Sequence, residues 1–353
     1  MSEGESGRLP VSYVLPLRWT DDAGLPELTA YLRRLAGWAE ITVVDGSPAP
    51  LFERHATAWD GLVRHVPVAP GFAFANGKVN GVLTGLALAG HEHVVIADDD
   101  VRWDRAGLVR LTGLLDRAEL VRPQSYFDPL PWHARWDTGR TLLNRALGAD
   151  YPGTFGVRRS FFQAMGGYDG DVLFENLEMI RTVRASGGRE LRPLDLYVRR
   201  LPPETARFWN QRVRQAYDDL AQPHRLAFFL AVLPGLGAAA RRPRVVLAAA
   251  AGVAGLAEVG RRRAGGRRVF PASASLLAPV WLLERGVCAW LAAGARVTRG
   301  GVVYAGRRVR VAAHSERELR RRAAGRASVA RVGLGGGPEP AELVGSVTER
   351  LEG

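Results

Sequence analysis

The sequence holds a single cysteine, Cys288, and a single lysine, Lys78. One thiol cannot close an internal disulfide, which excludes a disulfide-stapled module and a zinc fold built on several cysteines. No uninterrupted apolar run reaches the ~20 residues that cross a bilayer as a helix. Residues 1–10 lack the basic-then-apolar order of a secretory leader and read as a polar, flexible lead, so the N-terminus is expected in the cytoplasm. Aspartate is missing from one end, since none follows Asp219.

That last absence divides the chain. Its 353 residues carry a formal net charge of +12, with 47% hydrophobic and 24% charged residues, a balance that excludes wholesale disorder. Residues 1–222 hold 26 Lys+Arg against 28 Asp+Glu, a net of −2, and residues 223–353 hold 22 against 8, a net of +14. The basic excess is therefore a property of the C-terminal third.

Apolar runs in the N-terminal part alternate in type. Val11–Leu15, Ile41–Val44 and Val94–Ala97 read as buried strands, the first ended by Pro16. Leu25–Trp38, Lys78–Ala89 and Leu108–Leu115 have helical spacing. Strands alternating with helices predict an α/β fold, a mostly parallel sheet covered on both faces. Ligands of such sheets bind beyond the carboxyl ends of the strands, where Asp45 and the Asp98–Asp100 run fall.

From Pro223 the pattern changes. Leu226–Ala240, Val245–Ala257, Val269–Leu283 and Gly286–Ala295 are apolar, separated by Arg241–Arg244, Arg261–Arg263 and Glu284-Arg285. Short apolar blocks between arginine clusters predict re-entrant hairpins or interfacial helices on an anionic membrane surface, the alternative being a soluble helical domain with Ala- and Leu-rich buried helices. Nucleic acid is not expected as a partner, because the arginines bracket apolar runs instead of interleaving with aromatics. Four segments result: a flexible lead (1–10), a catalytic α/β domain (11–222), an apolar and basic membrane-associated helical region (223–312) and a basic, flexible tail (313–353).

Asp98-Asp99-Asp100 is the sharpest chemical feature. Three adjacent carboxylates after an apolar strand repel one another, and burial without a partner is costly. Asp98 and Asp100 project to the same side of an extended chain. A divalent cation there would resolve the repulsion, with Mg²⁺ typically held by one or two carboxylates plus substrate phosphates. A solvated acidic turn before a helix starting at Asp104 is the alternative reading.

Taken in order, Ile41-Thr42-Val43-Val44-Asp45-Gly46-Ser47, Gly77-Lys78-Val79-Asn80, Val94–Val101, Gly166-Gly167-Tyr168-Asp169, Phe174-Glu175-Asn176-Leu177-Glu178 and Gln211-Arg212-Val213-Arg214-Gln215 resemble the motifs of family 2 glycosyltransferases. The resemblance spans roughly residues 9–220. It implies a GT-A fold, a nucleotide-sugar donor, Mg²⁺ or Mn²⁺, and transfer with inversion to a lipid or lipid-linked acceptor at the cytoplasmic face of the membrane. By the same resemblance Asp45 would meet the nucleobase, Lys78 the nucleotide, Asp98 the ribose or metal, Asp100 the metal, and Arg214, supported by Gln211, the diphosphate. The family's usual Glu-Asp pair stands here as Glu175-Asn176, and an amide cannot take a proton. Glu175 is the first candidate for the base, with Glu178 and Asp171 as others. Gln215 stands where the family has tryptophan, and Trp209 could substitute for it. Trp132, His133, Trp136 and Asp137 fall on the acceptor side. Tyr304–Arg308 resembles a segment of lipid-directed members. Two further readings stay open: a polyprenyl-phosphate sugar synthase, whose ionised acceptor needs little base, and a catalytically inactive relative that acts as a membrane scaffold. His91 and His93 flank Glu92 without a third ligand and read as a polar turn.

Overall fold

The computed structural model describes residues 7–304 and 306–333. Chain order begins β1 (Val11–Leu17), α1 (Leu25–Leu35), β2 (Glu40–Asp45), α2 (Ala49–Trp59), β3 (Arg64–Pro67), α3 (Gly77–Leu88) and β4 (His93–Ala97). It continues β5 (Val101–Arg102), α4 (Arg105–Leu115), β6 (Leu120–Val121), β7 (Gln124–Phe127), α5 (Trp132–Leu147), β8 (Thr154–Arg158), α6 (Arg159–Ala164), α7 (Glu175–Ala185), β9 (Glu190–Leu191) and β10 (Tyr197–Arg200). Two short helices follow, α8 (Thr205–Asn210) and α9 (Arg212–Tyr217), then three long ones, α10 (Pro223–Ala239), α11 (Pro243–Arg262) and α12 (Ala272–Thr298). A hairpin of β11 (Val302–Tyr304) and β12 (Arg307–Val309) leads to α13 (Glu316–Gly333).

The main sheet has seven strands in the order β3-β2-β1-β4-β8-β6-β9. β3, β2, β1 and β4 run parallel, and β8 runs antiparallel to both β4 and β6. Alternation along β1 sends Tyr13 and Leu15 to one face, against Leu28, Leu32 and Leu35 of α1, and Val14 to the other, against Val79 and Val82 of α3. Both faces are thus covered, as the alternating pattern predicts. A Cβ on Gly85 would stand 2.3 Å from Val14, so α3 lies on β1 at a distance only glycine permits.

Pro16 does not end β1, which runs to Leu17. β1 pairs with β4 only as far as Val14, so Pro16 falls where the strand is paired on one side, and its missing N–H costs little there. A second sheet, β5-β10-β7, sits at the carboxyl edge of the first. It sets Arg200 opposite Val101, directly after the three aspartates.

The C-terminal region differs from expectation in two respects. Glu284-Arg285 does not divide an apolar run, because α12 passes through it as one helix of 27 residues. The pair is tolerated because it is neutralised from outside: Arg212 Nε bonds both Glu284 oxygens at 3.1 Å, and Arg285 Nε bonds Asp219 at 2.8 Å. Pro243–Arg268 and Ala272–Thr298 are consequently long and apolar enough to cross a membrane, by length and composition alone. The tail expected to be flexible from 313 also contains a helix, α13, packed on α7. The remainder of that tail, the first six residues and Ala305 lie outside the described residues.

Candidate functional site

The carboxyl ends of β1 and β4, the first turns of α3 and α7, and α9 surround a cavity of about 670 Å³. Local structure explains how each side chain arrives. β4 is apolar and paired on both sides, and it stops where Asp98 donates its N–H to the Gly153 carbonyl at 2.8 Å. The Val101 N–H then closes onto the Asp98 carbonyl, turning the three aspartates across the cavity floor. Asn76 caps α3 by accepting from the Lys78 N–H, which places Lys78 in the first turn facing that floor.

The three carboxylates have separate partners. Lys78 Nζ lies 2.6 Å from Asp98 and 3.1 Å from Glu175. Asp99 accepts from Trp19 Nε1 at 2.5 Å. Asp100 faces Arg200, whose Nη2 stands 2.6 Å from Asp100 Oδ2 and 3.6 Å from Asp98 Oδ2. Burial would weaken the proton's hold on Lys78, but Asp98 and Glu175 outweigh it and keep the ammonium well above the ordinary lysine range. Arg200 behaves alike, held charged by Asp100 and Asp98 against its own burial. A Cβ on Gly153 would sit 2.5 Å from Asp98 and 2.9 Å from Arg200, so the absence of a side chain there makes room for the pair.

Glu175, Gln211 and Arg214 line the cavity, as do Asn176 and Gln215. Asp45 and Glu178 do not. Asp45 has no exposed side-chain surface. Its carboxylate meets His55 Nδ1 at 2.6 Å, His65 Nε2 at 3.1 Å and the Ser47 N–H at 2.8 Å. Burial alone would raise its pKa; the bonds from His65, Ser47 and His55 bring it down to about 2. Asp45 thus lies outside the cavity lining, with its oxygens bonded to His55, His65 and Ser47, and it braces the end of β2. Glu178 also lies outside the lining. One α-helical turn beyond Glu175 it points inward, fully buried, and its two oxygens accept the His314 backbone N–H at 2.7 Å and meet His314 Nδ1 at 2.9 Å. It anchors the segment before α13. Asp171 accepts the Ala75 N–H at 2.8 Å, also away from the lining.

Several functional residues were not foreseen. Arg200 comes from β10, a hundred residues beyond Asp100, and nothing local in the sequence announces it. Arg140, Arg225 and Arg285 add positive charge to the lining, the last two from the C-terminal region. Asp218 did have a signal. Gln211, Arg214, Gln215 and Asp218 are spaced as one helical face, and all four line the cavity. Burial lifts the Asp218 pKa to about 8, with Arg214 and Arg285 opposing and Glu175 and Asp219 adding to the rise. Arg212 is on the opposite face, buried, with Nη1 2.8 Å from Asp137.

A second cavity of about 610 Å³ shares Asp100, Arg140 and Arg200 with the first and extends toward Trp19, Phe127 and Phe208. Beside Phe208, Trp132, Trp136 and Trp209 pack together with ring centroids 6.1–6.4 Å apart. Trp132 and Trp209 stay about half exposed, at 53% and 45%. His133 is not exposed for a ligand; its Nε2 bonds the Pro203 carbonyl at 2.7 Å. His91 and His93 go separate ways, to Glu40 and Asp116, as a polar turn would.

No family model and no curated protein matches the chain. Among solved structures it is similar to the mannosyltransferase PcManGT from Pyrobaculum calidifontis, in complex with GDP-Man and Mn²⁺, at 19% identity over 98% of this chain and 85% of that one, with a TM-score of 0.45. It is also similar to glucosyl-3-phosphoglycerate synthase from Mycobacterium tuberculosis, in complex with Mn²⁺, UDP and glucosyl-3-phosphoglycerate, at 17% identity over 56% of this chain and 74% of that one, with a TM-score of 0.39. The case for a function rests on the cavity itself.

Proposed function

We propose that this chain is a metal-dependent glycosyltransferase of the GT-A, family 2 type. It would move a hexose from a nucleotide-sugar donor, with inversion, to a lipid or lipid-linked acceptor at the cytoplasmic face of a membrane. One observation carries the reading: a single cavity sets two convergent carboxylates, Asp98 and Asp100, across from a cluster of guanidinium groups that includes Arg214. Carboxylates that gather on one point suit a cation, and guanidinium forks suit a diphosphate.

The residues present fit a divalent ion. Asp98 and Asp100 face one nitrogen of Arg200, so their oxygens already converge on a positive charge. This all-oxygen set suits Mg²⁺ or Mn²⁺. When bound, such an ion would neutralise charge on the departing diphosphate. The protein's own groups supply the rest. Lys78, fixed between Asp98 and Glu175, holds the floor of the site in register. Arg214, with Gln211 beside it, faces the diphosphate. The acceptor oxygen attacks the anomeric carbon as the bond to the diphosphate breaks, and the diphosphate leaves with the electron pair. The acceptor proton passes to a carboxylate. Glu175 is on the cavity wall for this role, but it is paired to Lys78. Asp218, also on the cavity lining, is the second candidate, and a pKa of about 8 suits a group that takes up a proton near neutral pH.

A specific observation also favours the polyprenyl-phosphate alternative. Asn176 replaces the usual base, and Arg140, Arg207, Arg225 and Arg285 line the cavity in addition to Arg214. A phosphorylated acceptor would bring its own negative charge and need little base.

A thermal-shift screen of UDP- and GDP-sugars with and without Mn²⁺ tests the reading. A metal-dependent upward shift that disappears in Asp100→Ala is expected. An unchanged melting temperature with every donor and metal would overturn it. Transfer to a polyprenyl phosphate but not to the free polyprenol would select the second acceptor class.

A further inference from the structure

α12 presents two incompatible faces. Inward, Ala274, Ala278, Trp281, Arg285, Ala289 and Ala292 are buried at helical spacing along most of its length. Outward, Leu276, Val280, Leu283, Val287 and Leu291 recur at the same spacing and are 71%, 40%, 41%, 43% and 54% exposed. From Leu276 to Leu291 the outer stripe runs about 22 Å at 1.5 Å per residue. α10 and α11 extend it sideways with Phe228, Leu247 and Val259, at 57%, 68% and 53%. Isolated exposed apolar residues need no explanation, but so many on three helices packed against one another do.

The rim of this patch is basic. Arg241, Arg242 and Arg244 lie exposed between α10 and α11, and Arg267 and Arg268 between α11 and α12. Arg296 and Arg299 are exposed at the end of α12. Residues 223–353 carry a net of +14, 22 Lys+Arg against 8 Asp+Glu. An apolar face rimmed by arginine matches the acyl boundary and anionic headgroups of a lipid bilayer.

Length alone would let α11 and α12 span such a bilayer, but their inner contacts forbid it. Both helices are fitted onto α5 of the sheet domain. A Cβ on Gly139 would lie 3.0 Å from the Ala278 backbone, and one on Gly260 only 1.9 Å from the Leu142 carbonyl. α5 carries Asp137, Arg140 and Arg145, all buried or nearly so and all bonded inside the domain. α12 itself holds Glu284 and Arg285 halfway along, paired to Arg212 and Asp219 of the same domain. If α12 crossed the hydrocarbon, these charges would go with it, against a steep desolvation penalty.

We infer that α10–α12 form a monotopic platform that lies flat in the interface of an anionic membrane, outer stripe in the acyl boundary and arginine rim at the phosphates. This rests on the membrane reading above and narrows it from spanning or lying to lying.

Flotation of the full chain, purified without detergent, with preformed vesicles tests it. Strong binding to mixed phosphatidylcholine and phosphatidylglycerol and weaker binding to phosphatidylcholine alone are expected. Leu276→Glu/Leu283→Glu/Leu291→Glu should lower the bound fraction about tenfold or more, since a charge cannot enter the acyl boundary cheaply. A chain of which any segment is protected from protease added outside sealed vesicles, and becomes cleavable only when they are opened, spans, and the inference fails. A chain that binds neither vesicle, or whose triple variant only changes from dimer to monomer, also overturns it, because a second copy would then cover the patch. The donor thermal shift, measured on the same triple variant, should be unchanged. Loss of vesicle binding with the shift kept therefore separates this inference from the catalytic reading, and absence of the shift in the unaltered chain would fail that reading alone.

Discussion

Residues 1–222 and the helices after them handle charge in opposite ways. The sheet domain, near neutral overall, turns its charges inward and pairs them around a cavity. Lys78 meets Asp98 and Glu175, and Arg200 meets Asp100. The part from residue 223 on carries all of the net positive charge, +14 against −2 for the rest; its helices keep most of their arginines outside and leave leucine and valine exposed between them. Net charge says little about where chemistry happens. Paired charge, invisible to any sum, marks the site, and unpaired charge marks the outer surface.

The comparison can be broken most forcefully at the cavity. Asp100→Ala should reduce sugar transfer roughly a hundredfold or more, because one side of the cation site is lost. Its melting temperature without ligands should fall as Arg200 loses its partner, so transfer is measured below that melting temperature to separate function from folding. An Asp100→Ala enzyme of full activity would place the chemistry elsewhere.

Arg212 joins the two regions through Asp137 on one side and Glu284 on the other. Arg212→Ala leaves two buried carboxylates without their partner, and a cost of about 3–5 kcal/mol is expected in urea unfolding. A cost near zero would mean the regions are held by apolar contact alone. Gly260→Ala should cost less, ~1–3 kcal/mol, by overpacking α11 against Leu142. Since that clash is local to the α11–α5 seam, hydrogen exchange should quicken there and stay unchanged in β1 and β4.

The subtlest test is a pH slope. Asp218 has a folded pKa raised from 3.8 to about 8, so the fold binds a proton that the unfolded chain releases. Stability from this residue should fall as pH rises from about 4 to about 8, because the native state holds more protons over that window. Asp218→Asn should flatten the slope. If Asp218 takes the acceptor proton, the same substitution should also remove a rising limb near pH 8 in the pH dependence of kcat.

Much of this architecture could be read from the sequence, and what could not has a common cause. The alternation of strands and helices and the ends of β2 and β4 follow patterns within a few residues, whereas Lys78 meets Glu175 from 97 residues away. Gln211, Arg214, Gln215 and Asp218 share one face at helical spacing, so Asp218 was readable and was passed over. The failures were long-range. His55 and His65 close over Asp45 from α2 and β3. Glu178 is claimed by His314, 136 residues on. Glu284 and Arg285 look like a break in an apolar run until Arg212 and Asp219 arrive from a different helix. A polar residue's role depends on which partner reaches it, and local pattern does not encode that.

Arg285 belongs to both regions at once. It lines the cavity, and it grows from the inner face of a helix whose outer face is apolar. On a platform that lies flat, the wall of the cavity and the acyl boundary are then opposite sides of a single helix, about 10 Å apart. α12 acts as a spacer. With a lipid-borne acceptor, as proposed, it would set how far the reacting group must project above the plane in which the tail is held.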